Sequence, residues 1–381
     1  MTSITKKPMY IYLLVLTICA TGGLHLWRTL FDNFSVHILG LDGHHVGMIQ
    51  SVREIPGFLS LLVVYVLLFI REHKLSALAV LILGLGVSLT GLLPSFGGIL
   101  FTTLLMSFGF HYFETTNQSL TLQYFDKQQA PLVFGKLRSI SSASNIIVSI
   151  LIFALASFLD YRNLYLLFGI AIIGVCCWVM TTDPTEPDLV PQHKHMIFRK
   201  QYWLYYALTF LAGARRQIFI AFAVFLLVKK FDYSLHEIAL LFLLNNLINF
   251  FLAPLIGRSI NRFGERKVLS LEYGALIFVF VAYSVVDSKL TVAFLYIADH
   301  IFFNFAIGIR TFFQKIADPS DIAPSMAVGF TINHIAAVIL PVVGGLLWLI
   351  DYRIPFIAGA ILSGVSLILV QLIPGQIKLH G

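Results

Sequence analysis

The stretch Thr182-Asp183-Pro184-Thr185-Glu186-Pro187-Asp188-Leu189-Val190-Pro191-Gln192-His193-Lys194-His195-Met196-Ile197-Phe198-Arg199-Lys200-Gln201 interrupts an otherwise apolar chain. Three prolines, several charges and no apolar run give it the composition of a linker. On its N-terminal side lie six segments with the ~20 apolar residues that a helix needs to cross a bilayer core. They run over roughly 9–37, 44–70, 75–94, 97–125, 131–158 and 162–181. On the other side lie six more, at roughly 202–228, 235–257, 268–286, 290–314, 324–350 and 354–374. Turn or charge signals separate them, such as Asp42-Gly43, Arg71-Glu72-His73-Lys74, Pro94-Ser95, Asp160-Tyr161-Arg162 and Asp287-Ser288. Several segments exceed the minimum length, which favours tilted helices. No segment shows the alternating ten-residue pattern of a membrane β-barrel. The expected fold is therefore an all-α polytopic membrane protein with twelve transmembrane helices in two six-helix bundles, at 1–181 and 202–381, joined by a linker at 182–201.

Composition agrees with that reading. Of 381 residues, 58% are apolar and 12% charged, with a mean hydropathy of +0.86. A soluble domain carries about 25% charged residues, so a soluble enzyme, a secreted disulfide scaffold and a disordered chain are excluded. The net charge of +7 does not indicate nucleic acid, because Lys and Arg cluster in short patches between apolar runs. Seventeen of them fall on the side of the N-terminus and five (Arg162, Lys229, Lys230, Lys289 and Arg353) on the other. That bias places both termini and the linker in the cytoplasm. Lys229-Lys230 is the local exception. The first apolar run, after Lys6-Lys7, could pass for a signal peptide, but it continues past Gly23 and similar runs follow. Cys19, Cys176 and Cys177 lie inside apolar runs and suit neither disulfides nor zinc.

The two halves resemble each other at an offset near 191 residues. Leu159-Asp160-Tyr161-Arg162 returns as Ile350-Asp351-Tyr352-Arg353. His44-His45-Val46-Gly47 aligns with His236-Glu237-Ile238-Ala239, and His111-Tyr112-Phe113 with His300-Ile301-Phe302. Three matches arranged about the linker argue for a duplicated, pseudo-symmetric bundle. Parallel repeats of this kind place a binding site near the midplane and work by alternating access.

Between spans eight and nine lies Gly257-Arg258-Ser259-Ile260-Asn261-Arg262-Phe263-Gly264-Glu265-Arg266-Lys267. This run resembles the G-x-x-x-D-R-x-G-x-R-K loop of the major facilitator superfamily (MFS), with Asn261 where that family usually has Asp. Pro341-Val342-Val343-Gly344-Gly345 in span eleven is also similar to that superfamily. The resemblance implies the MFS fold and a gating role for Gly257, Asn261, Arg262, Gly264 and Arg266, which help latch one access state. The matching loop between spans two and three has shrunk to Arg71-Glu72-His73-Lys74, without the Gly and Asp. Span five lacks the G-P-x-x-G-G run of many drug/proton antiporters.

Charges inside the spans are the candidate functional groups, since each costs at least ~2.5 kcal/mol at a helix centre and needs a partner or an aqueous cavity. Arg215 and Arg216 lie near the middle of span seven, about 100° apart around the helix. One of them can hold an anionic solute through a bidentate guanidinium fork; the alternative is an interhelical ion pair. Arg28 and Asp32, four apart on span one, form a same-face gating or structural pair. In span two, the adjacent Arg53 and Glu54 point to different faces and call for different partners, Glu54 for gating and Arg53 for the solute. His111, Glu114 and Gln118 share one face of span four; Asp299, His300 and Asn304 form a similar group in span ten. Carboxylate–imidazole groups can carry protons, so His111, Glu114, Asp299 and His300 are the candidates for proton coupling. Asn145, Asn245 and Asn333 could bind solute or simply join helices. Glu272, five residues past Lys267, is expected at the interface beside the basic loop.

No P-loop, zinc spacing or nucleophile elbow occurs, so an enzyme, an ATP-driven pump, a metal and a cofactor are not expected. The expected function is secondary active transport of a small polar anionic solute coupled to protons, by a monomer in a bacterial-type inner membrane. Its partners are then the lipid bilayer, the solute and protons, with no nucleic acid. Four embedded arginines oppose the first rival, a multidrug/proton antiporter taking hydrophobic cations. The second rival, a receptor or sensor on a transporter fold, would usually carry an added signalling segment. A lipid flippase lies between these classes, favoured by a cavity that opens sideways to the bilayer.

Overall fold

The computed structural model describes residues 4–41, 43–187 and 189–374, with the side chain of Asp32 outside the described set. Among the described residues every regular element is helical. The long helices are α1 (Pro8–Asn33), α2 (Gly43–Phe58), α3 (Glu72–Thr90), α4 (Phe96–Tyr124), α5 (Gln129–Leu155), α6 (Tyr161–Met180), α7 (Trp203–Ile218), α8 (Leu235–Phe263), α9 (Glu265–Val285), α10 (Lys289–Phe303), α11 (Ile322–Ile350) and α12 (Arg353–Val370). Among the described residues, eleven helical stretches are long and apolar enough to cross a membrane. Helix α11, with 29 residues, matches them in length.

Local chemistry fixes where the helices begin. Pro8 opens α1, where its missing N–H costs nothing. The Asp160 carboxylate accepts from the Asn163 N–H at the start of α6 (2.8 Å). Ser234 and Glu237 form a reciprocal capping box on α8. Several helices are irregular along their length. Pro56 near the end of α2 precedes a 3-10 turn, Leu59–Leu62. Helix α1 runs into a π-turn at Phe34–Ile38, and α7 into one at Phe219–Ala223 before continuing as Val224–Phe231. Helix α10 passes through a 3-10 turn at Asn304–Ala306 into Ile307–Ile316.

The chain forms two compact units. The first contains Met1–Tyr124, Ile140–Ile197 and Pro319–Thr331; α3 is its centre, packed against α4, α6 and α1. The second contains Phe125–Ser139, Phe198–Asp318 and Ile332–Gly381; α9 and α12 are its most closely packed pair, with α7 against α12. Its apolar core includes Leu276, Phe280, Tyr283, Tyr296 and Phe356. Gly213 on α7 lies directly on the backbone of Asn333 in α11, an approach that any side chain would block. Around both units large apolar side chains stand exposed, as with Phe153 at 85% and Leu349 at 82%, a surface that suits lipid rather than water.

Lys230, of the exceptional Lys229-Lys230 pair, has a structural role. Lys230 Nζ donates to the Val286 carbonyl (2.8 Å), Asp287 (2.9 Å) and the Tyr352 hydroxyl (2.7 Å), tying three loop ends of the second unit together.

Candidate functional site

The second unit buries a charged cluster. Arg215 on α7, Glu272 on α9 and Asp299 on α10 are each fully buried. Arg215 Nη2 lies 3.7 Å from Glu272 Oε1, an ion pair longer than a hydrogen bond. Its Nη1 donates to the Ser366 hydroxyl on α12, and its guanidinium carbon sits 4.5 Å from the centre of the Tyr273 ring. Asp299 feels the same guanidinium electrostatically. Neither oxygen of Glu272 or of Asp299 has a hydrogen-bond partner among the described residues. One cation thus faces two buried carboxylates.

This corrects the partner expected for Glu272, which faces Arg215 rather than the basic loop. Five residues past Lys267 is less than two turns into α9, but rotation about the axis turns the side chain inward to Arg215. Arg216, the next residue, is half-buried. His300 is half-buried, with its ring 6.3 Å from that of Phe219.

The first unit holds the other charged group. Arg53 and Glu54 pair with each other, Nη2 to Oε1 at 2.8 Å, rather than finding separate partners as expected. The long arginine side chain curls back around the helix, which the angle between adjacent Cα–Cβ bonds does not reveal. A Glu54 carboxylate oxygen lies within 4.8 Å of a His111 ring nitrogen. Gln118 Nε2 donates to Glu114 at 3.4 Å, which joins two of the three residues of the α4 stripe. Arg28 is exposed, and Asn145 is half-buried.

The asparagines divide. Asn333 donates to the Thr209 carbonyl (3.1 Å), joining α11 to α7 beside Gly213. Asn245 on α8 is 2% exposed, and neither atom of its amide has a partner among the described residues. One turn on, Asn249 Oδ1 accepts from Asn304 Nδ2 (2.7 Å), and Asn304 Oδ1 accepts from Arg138 Nε (3.0 Å). Arg138 is the residue that the sequence reading missed. It is one of the seventeen charges assigned to the side of the N-terminus, and it stands in α5 nine residues after Gln129.

The loop residues are held firmly. Gly264 has φ +80°, which L side chains rarely adopt, and makes the turn from α8 to α9. Gly257 lies against the Pro131 carbonyl. Asn261 Nδ2 donates to the Gln128 carbonyl (2.6 Å), Arg262 lies over the Phe263 ring (5.2 Å) and Arg266 donates to Gln371 (3.1 Å).

Long apolar helices with charges and amides buried inside the bundles define a polytopic membrane protein. The chain belongs to the Major Facilitator Superfamily, whose sequence profile matches residues 11–318 and 205–376. No curated protein sequence matches it. Among solved structures it is similar to the E. coli fucose:proton symporter FucP at 13% identity and TM-score 0.75, over 96% of this chain and 98% of that one. The human organic anion transporter MFSD10 (TETRAN) aligns at 13% identity and TM-score 0.73, over 96% and 99%. A bacterial homologue of the iron transporter ferroportin, in its outward-facing state, aligns at 14% and 0.74, over 95% and 99%. At these identities the likeness concerns the fold.

Proposed function

We propose that the protein is a proton-coupled secondary transporter of a small polar anion, working by alternating access between its two halves. The supporting observation is the Arg215–Glu272–Asp299 cluster. An ionised carboxylate buried without hydrogen bonds is very costly. One guanidinium offsets one of the two carboxylates, and a proton neutralises the other. A site that holds a proton by charge balance can release it when the balance changes, which is what coupling requires. Glu272 and Asp299 are then the carriers in the second unit, and Arg215 sets their balance rather than contacting solute. Arg216 on the same helix is one candidate for the solute-binding role, with His111, Glu114 and Glu54 as a second proton-accepting group. Among the structural neighbours are a fucose:proton symporter and an organic anion transporter, and this reading combines those two properties. The halves at 1–181 and 202–381, the cytoplasmic termini and the bacterial inner membrane belong to the same proposal.

The test is reconstitution into liposomes containing a pH-sensitive dye, with small carboxylates, neutral sugars and hydrophobic cations added outside. A carboxylate that drives proton movement supports the proposal. Asp299→Asn should then stop the proton signal while solute exchange continues. Proton movement driven by cations alone would install the drug antiporter in its place, and carboxylate transport with no proton movement would refute the coupling.

A further inference from the structure

We infer that Arg138, with Asn304, Asn249 and Asn245, forms the recognition site for a small hydroxylated carboxylate. The inference rests on the proposed anion transport and names the chemistry and residues that would serve it.

Depth comes first. Asn249 is the central residue of α8, 14 residues from each end of Leu235–Phe263. At about 1.5 Å per residue that places it roughly 21 Å from both ends. Asn304 sits at the break in the middle of the Lys289–Ile316 stretch. A polar network at that depth has no headgroup region to reach.

Direction comes second. An arginine facing lipid inside a span is costly. Arg138 does not face that way, because its Nε is on Asn304, which is itself buried and bonded to Asn249. Neighbouring contacts hold α5 in this orientation, since Ser139 donates to the Phe250 carbonyl and Gly135 lies on the backbone of Ala253, both on α8. Yet Arg138 remains exposed while its asparagine partners are buried. An exposed guanidinium anchored on a buried amide, on a face turned inward, is built to meet a solute.

The third observation is Asn245. It lies four residues before Asn249 on the same face of α8, it is 2% exposed, and both its amide atoms lack a partner among the described residues. A buried amide left unsatisfied costs roughly 1–3 kcal/mol per group. The group that relieves it must both donate and accept. A hydroxyl does both, and the carboxylate of the same molecule would pair with Arg138, whose planar fork suits two carboxylate oxygens. The asparagine chain sets the side on which that fork stands.

The experiment uses the full chain in lipid nanodiscs, with calorimetry on gluconate, lactate, their deoxy counterparts hexanoate and propionate, and the neutral polyol sorbitol. Expected are saturable binding of at least one hydroxycarboxylate and weaker binding of its deoxy counterpart and of sorbitol. Arg138→Gln should raise its Kd at least tenfold, and Asn245→Ala should erase the preference for the hydroxyl. Because the Arg138 side chain is exposed and a Gln amide still offers Asn304 a donor, its variant should unfold close to the parent's temperature without ligand, which separates lost recognition from lost folding. Carboxylate binding that survives Arg138→Gln unchanged but disappears in Arg216→Gln would overturn this inference and leave the anion reading standing. Binding of sorbitol with no carboxylate bound would overturn both. Failure of both hydroxycarboxylates to bind would overturn the inference.

Discussion

Replacing Arg215 by Met tests whether the buried cluster is a coupled electrostatic unit. The guanidinium and Glu272 are separated by 3.7 Å and both side chains are fully buried. At an effective dielectric near 20, two charges about 4 Å apart attract by about 4 kcal/mol. Removing one partner of a buried pair typically costs about 3–5 kcal/mol, because the other is left uncompensated. Arg215→Met should therefore destabilise the protein by an amount in that range, reduced by whatever proton uptake relieves Glu272 and Asp299. Glu272→Met should cost less, since Arg215 keeps Asp299, Ser366 and the Tyr273 ring.

The decisive quantity is the double variant. Replacing both members of a buried pair with apolar residues is often close to neutral, so Arg215→Met/Glu272→Met should fall short of the summed single costs by more than about 1 kcal/mol. Equilibrium unfolding in mixed micelles, with the denaturing detergent fraction as the variable, supplies all four corners of the cycle. Size-exclusion profiles confirm that each variant starts folded. Additivity within about 0.5 kcal/mol, the behaviour of independent sites, would refute the coupling on which the proposed proton site depends. So would a single Arg215→Met cost below about 1 kcal/mol.

Gly213→Leu should prevent assembly of the second unit, because the new side chain would meet the Asn333 backbone on α11. Overpacking costs about 1–3 kcal/mol even where neighbours can shift, and backbone shifts poorly; the measurement is the folded fraction by fluorescence-detected size exclusion. Gly264→Ala should cost about 1–3 kcal/mol by detergent unfolding through strain at φ +80°, while an Ala at Gly274, where a Cβ meets open space, should leave stability within about 0.5 kcal/mol. In the linker, hydrogen bonds from the Thr185 hydroxyl and backbone N–H hold the Asp183 carboxyl below its ordinary range, with His73 and Arg71 adding smaller contributions. A carboxyl lowered in the folded state stabilises at pH above its usual value near 3.9. That contribution disappears as pH falls through the lowered value. The amide protection factor of Thr185, which divides out the intrinsic pH dependence of exchange, should therefore fall on acidification, and Thr185→Val should remove most of this pH dependence.

The helices were legible because hydropathy measures length, and length is what a bilayer demands. The expected spans lie along the observed helices, and the turn at Gly264 could be read from the loop motif. Rotation about each axis was not legible, and the functional groups depend on it. Glu272 was expected beside the basic loop when counted from Lys267, but an inward rotation puts it on Arg215. Arg53 and Glu54 seemed to need separate partners because a helical wheel treats side chains as spokes, whereas an arginine is long enough to bend back to its neighbour. Arg138 was hidden most completely. Pro131-Leu132-Val133-Phe134-Gly135-Lys136-Leu137-Arg138 looks the same to a hydropathy window whether Arg138 ends a loop or enters a bundle. Only the contacts of α5 with α8, through Gly135 and Ser139, turn it toward Asn304. The small residues were the available signal: two of them four apart mark the face on which a neighbouring helix comes close, and Arg138 sits beside that face. The same rule picks out Gly213, which lies against α11 two residues before Arg215. In both cases a close helix–helix approach fixes the rotation of an arginine within one turn of it, so packing and the placing of charge are set by the same few residues.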